Sequence, residues 1–261
     1  MISVVLATHN EEKNLKRCLD SVKSWADEII IVDGESTDKT VALAKQLGAK
    51  VISTTNKSNF HINKQMAMDK AQGELVLQLD ADEVVDEELA TFIQATYQQI
   101  KDKQTLPSAW WIKRKNYFFG RFLRKGGQYP DPVIRLYQKG KASLPQKDVH
   151  EQMTVDGEVG WADGHLLHYS NPHFSDYLRK FNTYTSFSAE KVLAENKRPS
   201  LGMAFSYYFW KPIVTFLTLY IRHKGFVDGT AGFLFAFCSG LHFPVTYIKF
   251  CESYEQNQRP T

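Results

Sequence analysis

The sequence predicts an α/β fold with a helical, apolar C-terminal appendage, and three observations support this. Up to about residue 101, short β-branched runs alternate with segments of helical periodicity, which is typical of parallel strands joined by crossover helices. From about 110 to 169, the helical period fades and glycine and proline separate short strands. Helices return after Tyr177 and become rich in aromatic residues. We therefore expect one domain over residues 1–175 and a helical region over 176–261.

Composition narrows the class of protein. A hydrophobic fraction of 43% in 261 residues suffices for a sizeable core, which excludes a disordered chain. The formal net charge is only +3, so the chain as a whole carries no signal for binding nucleic acid. The three cysteines form no Cys-x-x-Cys pair, which argues against a disulfide framework or a zinc site and favours a reducing cytosol. We expect no secretory signal, because Met1 leads directly into a strand.

The first strand is predicted over residues 2–7, and an amphipathic helix follows it. Hydrophobic residues three or four apart mark the face of this helix that packs on the sheet: Leu15, Cys18, Leu19, Val22 and Trp25. The second strand is predicted over residues 29–32. Ser36 or Thr37 can cap the helix after it, and Gly48 can close that helix.

The remaining strands are shorter or lie further along the chain. A third strand is predicted over residues 50–54, a helix over 62–71 and a fourth strand over 75–79. Beyond residue 101, the sequence predicts three further strands, over residues 110–112, 133–137 and 166–169.

Polar residues follow three of these strands. The first strand ends in Thr8-His9-Asn10-Glu11, the second in Asp33-Gly34-Glu35-Ser36-Thr37-Asp38, and the fourth in Asp80-Ala81-Asp82. The carboxyl ends of parallel strands meet at one edge of a sheet, where ligands bind. Two carboxylates one residue apart can hold a hard divalent cation and a diphosphate bound to it. The sequence therefore predicts a reactive site at this edge.

These segments together resemble the family 2 glycosyltransferases of the GT-A fold, over about the first half of the chain. The resemblance rests on residues 4–11, on residues 30–38, and on Gly73-Glu74-Leu75 leading into Asp80-Ala81-Asp82. It implies a Rossmann-like mixed sheet in which residues 1–101 bind a nucleotide sugar and residues 102–175 form the acceptor half.

A narrower resemblance, carried by Val149-His150-Glu151 and by residues 222–226, is to bacterial enzymes that transfer a β-1,4-glucosyl group to the lipopolysaccharide inner core. It implies an inverting, metal-assisted transfer of a hexose, glucose, from a UDP-sugar to a heptose of that glycolipid. The expected cofactor is Mg²⁺ or Mn²⁺. One alternative is a relative that acts on another polysaccharide or lipid carrier. Another is a non-catalytic nucleotide-sugar or lipid-binding adaptor, although an adaptor needs neither the acidic triplet nor a base.

The resemblance assigns roles to residues at the strand ends. Ala7, His9 and Glu11 are expected to line the nucleoside pocket, where Asp33 can accept hydrogen bonds from the uracil or ribose. Asp33 could instead stabilise its own Asp-Gly turn. Glu11 could be an acid favoured by the dipole of the helix that follows, and both readings of Glu11 can hold at once.

The acidic triplet and one lysine are expected to hold the diphosphate. Asp82 is the predicted metal ligand, and Asp80 is expected to reach the ribose or sugar and to be a second metal ligand, with Ala81 also in contact with substrate. The alternative is that the two acids only start the helix at Asp86. Lys64 matches a position where relatives carry a basic residue near the diphosphate, but a solvated lysine on a helix is almost as good an interpretation.

The predicted catalytic base is Glu151, by resemblance to relatives that place an acid after the central strands, and Asp148 is the alternative. Either could instead be a surface turn acid. His150, His165 and His168 could supply a further metal or phosphate contact, although a single histidine is more often structural.

Two segments suggest a lipid partner. Residues 113–125 contain six basic residues interleaved with aromatic ones and no acid, which suits a phosphorylated glycolipid or an anionic membrane face as well as it suits a solvated loop. The apolar tail over residues 201–248 contains Lys211-Pro212 and Pro244 within its runs, so interfacial helices are favoured over a membrane span. A buried hairpin or an oligomer interface is the alternative. We thus expect a cytoplasmic enzyme, peripheral on the inner membrane face.

Overall fold

The computed structural model describes residues 1–57, 59–145 and 152–258. The chain forms two compact units. The first consists of Met1–Lys115 and Asp131–His168, and the second of Asn116–Pro130 and Tyr169–Thr261. The predicted α/β fold with a helical, apolar C-terminal region is confirmed.

The strands alternate with helices in the first part of the chain and then follow one another. They are β1 (Ile2–Thr8), β2 (Glu28–Gly34), β3 (Lys50–Thr54), β4 (Leu75–Leu79), β5 (Glu83–Val85), β6 (Ala109–Phe118), β7 (Arg121–Phe122), β8 (Asp131–Gln138), β9 (Ala142–Ser143), β10 (Thr154–Val155) and β11 (Val159–Asn171).

The α-helices are α1 (Glu12–Asp20), α2 (Thr40–Gln46), α3 (Phe60–Lys70), α4 (Glu87–Lys101), α5 (Phe174–Ala194), α6 (Leu201–Phe205), α7 (Lys211–Leu217) and α8 (Gly229–Gln258). Two π-helical segments follow α6 and α7, over Ser206–Trp210 and Thr218–Arg222, and a 3₁₀ turn over Gly225–Asp228 precedes α8.

The main sheet has the strand order β3-β2-β1-β4-β8-β6-β11-β5. The first four strands of this order pair in parallel, as the crossover helices require, whereas β8 pairs antiparallel with both β4 and β6. In the register of β1 with β2, Thr8 lies opposite Asp33. The carboxyl ends of β1, β2 and β4 therefore lie at one edge of the sheet.

The strands are apolar almost throughout because helices cover both faces of the parallel part. Val4 and Leu6 of β1 pack in one buried cluster with Leu15 and Leu19 of α1, whereas Val5 packs in a second cluster that includes Met68 of α3. Leu6 is fully buried, so its truncation to alanine would cost about 3 kcal/mol of stability.

A short strand separates the acidic triplet from the helix that follows. The sequence analysis did not predict β5, which pairs antiparallel with β11. Helix α4 begins only after it, with Asp86 as the cap: its side chain accepts a hydrogen bond from the Leu89 amide at 2.9 Å. Asp80 and Asp82 thus do not start this helix.

In the second unit, the apolar runs remain helical where interruptions were expected. Pro212 is the second residue of α7 and directly follows a π-helical segment, and helical structure extends over residues 201–222. Helix α8 continues through Pro244. By length and composition alone, the segment Gly225–Gln258 could cross a membrane, and 39% of its most apolar window is buried within the protein.

Candidate functional site

The loops after β1 and β2 are tied together by the carboxylate of Asp33. Its Oδ1 accepts hydrogen bonds from Thr8 Oγ1 at 3.0 Å and from Ser36 Oγ at 2.6 Å, and its Oδ2 accepts one from the Ser36 amide at 2.9 Å. Asp33 is only 2% exposed. The carboxylate therefore stabilises its own turn, as the sequence allowed. Its part in binding a nucleoside stays a prediction.

His9 and Glu11 are held by the same pair of loops. His9 Nδ1 lies 2.5 Å from the carbonyl oxygen of Gly34, and since a carbonyl only accepts, this nitrogen must carry the proton. The Glu11 amide donates to Thr40 Oγ1 at 2.8 Å, and its carboxylate accepts from Asn14 Nδ2 at 2.9 Å. His9 and Glu11 are thus fixed at the edge of the sheet beside Asp33.

Ala7 joins this group from the end of β1. It lies opposite Val32 in the parallel register and is half-buried. The structure therefore places the four residues assigned to the nucleoside at neighbouring strand ends.

The carboxylate of Asp80, directly after β4, lies between two cations. Arg135 Nη2 of β8 is 2.6 Å from its Oδ2, and Lys64 Nζ of α3 forms an ion pair with its Oδ1. Gln78 donates to the same Oδ1 at 3.2 Å and accepts a hydrogen bond from Arg135. Burial by itself would raise the pKa of Asp80, but the charges of Arg135 and Lys64 outweigh burial and hold that pKa well below its usual range. Asp80 is therefore ionised at neutral pH.

Lys64 is buried rather than solvated, which removes the alternative interpretation of this residue. Burial lowers its pKa, and the neighbouring Asp80 opposes that shift. The assignment of Lys64 to a diphosphate remains a prediction.

Asp80 belongs to a row of alternating charges within the first unit. Glu83 is fully buried and lies 3.5 Å from Arg135 Nη2 and 3.4 Å from Arg114 Nη1. Arg114 also pairs with Asp131 at 2.7 Å. Three cations and three carboxylates thus alternate from Lys64 to Asp131, which balances the charge of a site that burial would otherwise penalise.

Arg135 was missed in the sequence analysis. Burial disfavours its charge, but the attraction of Asp80 and Glu83 raises the pKa of Arg135 above its ordinary value. The one signal in the sequence was a charged residue inside the apolar run Val133-Ile134-Arg135-Leu136-Tyr137. A charge in a buried strand needs a partner, and a carboxylate is the common one.

Asp82 faces a histidine from β11. Its Oδ2 lies 3.4 Å from Nε2 of His168, and both side chains are about four-fifths buried. A carboxylate oxygen and an imidazole nitrogen are ligands that Mn²⁺ and related divalent cations accept. The donor types at Asp82 and His168 therefore fit a divalent cation, whereas both oxygens of Asp80 already face positive charges.

A second group of possible metal ligands lies nearby in sequence. Within the described ranges, ligand atoms of Asp86, Glu88 and His165 lie within 4.8 Å of one another. Asp86 has a structural reason to be there, since its Oδ1 accepts hydrogen bonds from the amides of Leu89 and His165. These hydrogen bonds join the middle of β11 to the start of α4.

The acidic candidates for the base, Glu151 and Asp148, lie outside the described residues, as does His150.

The basic, aromatic segment over residues 113–125 is described, and part of it has buried partners. In the second unit, the amides of Arg124 and Lys125 donate to the buried carboxylate of Asp228, at 2.9 and 2.8 Å. The ring of Phe118 packs in a buried cluster with Leu123 and Ala231. Asp228 thereby fixes the shape of this segment.

Comparison with known proteins identifies the family. A sequence profile described as glycosyl transferase family 2 matches residues 3–153. An uncharacterized glycosyltransferase of Rickettsia typhi is 31% identical over 89% of this chain and 80% of its own length. The lipopolysaccharide core biosynthesis glycosyltransferase LpsC of Rhizobium meliloti is 29% identical over 99% of this chain and 95% of its own.

A solved structure, that of TarS from S. aureus in complex with UDP, superposes with a TM-score of 0.48 at 17% identity, over 100% of this chain and 93% of that one. The match to the family profile covers more than half of the chain and includes all three polar strand ends. It agrees with the α/β sheet described above, which confirms the GT-A fold. The chain belongs to glycosyl transferase family 2.

Proposed function

We propose that this enzyme transfers a hexose, glucose, from a UDP-sugar to a glycolipid, with a heptose of the lipopolysaccharide inner core as the acceptor. The observation that carries the proposal is the ionised Asp80, with Asp82 two residues on, at the strand edge that also holds Asp33. The name of the Rhizobium meliloti relative, which refers to lipopolysaccharide core biosynthesis, supports the choice of acceptor.

The donor would be held by groups from three strand ends. Ala7, His9, Glu11 and Asp33 would contact the uridine, with the His9 ring held by the carbonyl oxygen of Gly34. Asp80 would accept hydrogen bonds from ribose or sugar hydroxyls, with Ala81 against the same substrate. The Lys64 ammonium, which pairs with Asp80, would also contact the diphosphate. Its positive charge would then lie where negative charge develops on the leaving group.

A divalent cation, Mg²⁺ or Mn²⁺, would be held by Asp82, with Asp80 as the second predicted ligand. His168 is within reach of the same position, because its Nε2 is 3.4 Å from Asp82 Oδ2. When bound, such an ion neutralises charge on the diphosphate as it leaves. The row of ion pairs behind Asp80 would keep this carboxylate in one orientation while substrates exchange.

Glu151 would take the proton of the acceptor hydroxyl, and Asp148 is the alternative base. The acceptor oxygen then forms a bond to the anomeric carbon as the bond from that carbon to the UDP oxygen breaks. Attack from the face opposite the leaving group inverts the anomeric configuration. The enzyme carboxylate ends protonated, and UDP leaves with the electron pair of the broken bond.

The second unit supports a peripheral position on the cytoplasmic face of the inner membrane. Large apolar side chains over residues 201–248 are well exposed, among them Trp210 at 64% and Ile213 at 55%. Residues 196–251 contain six basic residues and one acid, Asp228, which is buried. An exposed apolar surface with a positive charge excess suits the headgroup layer of an anionic membrane.

The proposal is tested by incubating the purified protein with a panel of nucleotide sugars and core glycolipids, with and without Mn²⁺. Mass spectrometry identifies the product. We expect the mass of one hexose on a heptose-containing glycolipid with a UDP-sugar as donor. Transfer only to a different lipid carrier would keep the family chemistry and refute the acceptor. Binding of UDP-sugars without turnover on any acceptor would support the adaptor.

A further inference from the structure

The second unit contains a pocket of about 260 Å³ that no step of the proposed reaction uses. It lies between α5 and α8, next to the end of β11. The residues that line it are Asn171, Tyr177, Lys180, Phe181, Tyr184, Cys238, Ser239 and His242. This pocket is called the α5–α8 pocket below.

The charge of the α5–α8 pocket has one sign. Lys180 is its charged residue, and none of the eight lining residues is an acid. Lys180 Nζ donates one hydrogen bond, to the carbonyl oxygen of Ser170 at 2.8 Å. An ammonium has three donors, and among the described residues this one has no carboxylate partner. The remaining donors therefore suit an anionic group.

The rest of the lining suits hydroxyl groups and a ring. Asn171 Oδ1 is buried without a hydrogen-bond partner among the described residues, while its Nδ2 donates to Ser170 Oγ. An unpaired buried acceptor is a cost that a ligand hydroxyl can relieve. Ser239 and His242 add polar atoms, and Tyr177, Phe181 and Tyr184 add three aromatic rings. Few polar groups in a largely apolar lining are typical of a site that orients a small ligand.

The pocket borders the exposed apolar surface of the same unit. On α8, Phe237 and Leu241 are four residues apart and exposed, and each directly precedes a pocket residue, Cys238 and His242. A ligand that extends from a lipid layer could therefore enter the pocket with its polar part.

We propose that the α5–α8 pocket binds an anionic sugar of the glycolipid acceptor, a sugar that carries a phosphate or carboxylate group. The anion pairs with Lys180, a hydroxyl donates to Asn171, and the ring packs against Tyr184 and Phe181. This inference rests on the proposed function, because the bound sugar would belong to the glycolipid that the proposed function names as the acceptor.

The test measures binding of mannose 6-phosphate to the full chain by calorimetry, with mannose and inorganic phosphate as separate ligands. We expect mannose 6-phosphate to bind more tightly than either. Lys180→Met should weaken this binding about tenfold or more, because it removes a charge-assisted hydrogen bond, whereas Lys180→Arg should retain it. The matched control is Lys191→Met, which removes an exposed lysine from the same helix and should bind as the wild type does.

Two further measurements locate the ligand and separate the two proposals. Histidine ring signals in NMR spectra should shift for His242 and not for the exposed His223 when mannose 6-phosphate is added. UDP should bind the wild type and all variants with equal affinity. Absence of UDP binding by the wild type would refute the proposed function, whereas the mannose 6-phosphate titrations test the pocket by themselves. Equal affinity for inorganic phosphate, no binding of mannose 6-phosphate, or unchanged binding by Lys180→Met would each overturn the inference.

Discussion

Arg135 Nη2 lies 2.6 Å from Oδ2 of Asp80, so the guanidinium of β8 holds the first carboxylate of the acidic triplet from behind. The same nitrogen lies 3.5 Å from the fully buried Glu83. One arginine thus stabilises two carboxylates that would otherwise repel each other.

We expect Arg135→Met to destabilise the protein by about 3 kcal/mol, because the carboxylates of Asp80 and Glu83 each lose a cationic partner in a buried environment. Denaturant unfolding followed by circular dichroism measures this change. The control is Lys141→Met, which breaks the exposed pair with Asp156 and should leave the unfolding midpoint unchanged. An equal midpoint for Arg135→Met and the wild type would show that the charge row is not structural.

Asp82→Asn should lower the metal-dependent turnover rate by about 10²-fold or more, since a bound metal contributes several kcal/mol to stabilising the leaving group. Folding should be preserved, because this carboxylate lies after β4 and outside the hydrophobic core. Turnover with Mn²⁺ or Mg²⁺ supplied, and the unfolding midpoint, are measured together. The control is Asp163→Asn, which changes an exposed carboxylate on β11 and should keep the wild-type turnover and unfolding midpoint. Wild-type activity in Asp82→Asn would refute the metal assignment.

Glu151→Gln should lower kcat by about 10²-fold or more with little change in the Kd of the donor, as expected for loss of a general base. Asp148→Asn is the matched comparison, since it changes the neighbouring candidate. Steady-state kinetics and UDP titration separate the two effects. An inactive Asp148→Asn beside a nearly normal Glu151→Gln would assign the base to Asp148 instead.

The protein should float with anionic liposomes, and salt alone should release it only in part because apolar burial and charge attraction act together. Salt with a mild detergent should release it fully. Phe209→Ala combined with Trp210→Ala should weaken flotation, since both side chains are more than half exposed. Trp161→Ala removes a similarly exposed tryptophan from the first unit and should float normally. No flotation with anionic or neutral liposomes would favour an oligomer interface or buried packing.

The local sequence pattern was sufficient to predict much of the secondary structure of the first unit. The predicted third and fourth strands match β3 and β4 in both bounds, because each is a short apolar or β-branched run bounded by polar or turn residues. Strand β5 was missed because its three residues carry no readable period and follow two acids. Its stability comes from pairing with β11, more than 80 residues later in the chain.

The partners of Asp80 could not be predicted in the same way. Gln78 and Asp80 meet Arg135 because β4 and β8 pair antiparallel, with Leu77 opposite Leu136. Such a register depends on contacts that are distant in sequence, and no local motif records it. The continuous helix through Pro244 was also unexpected, since a proline inside an apolar run more often ends or kinks a helix.

The central claim is transfer of a hexose from a UDP-sugar to a core glycolipid, and the most direct test is the stoichiometry of that transfer. Purified protein is incubated with UDP-glucose, Mn²⁺ and a heptose-containing glycolipid, while mass spectrometry follows the glycolipid and chromatography follows UDP. We predict that the glycolipid gains one hexose for each UDP released and that Asp82→Asn yields neither product. Release of UDP without any gain in glycolipid mass, or equal transfer by Asp82→Asn, would contradict it.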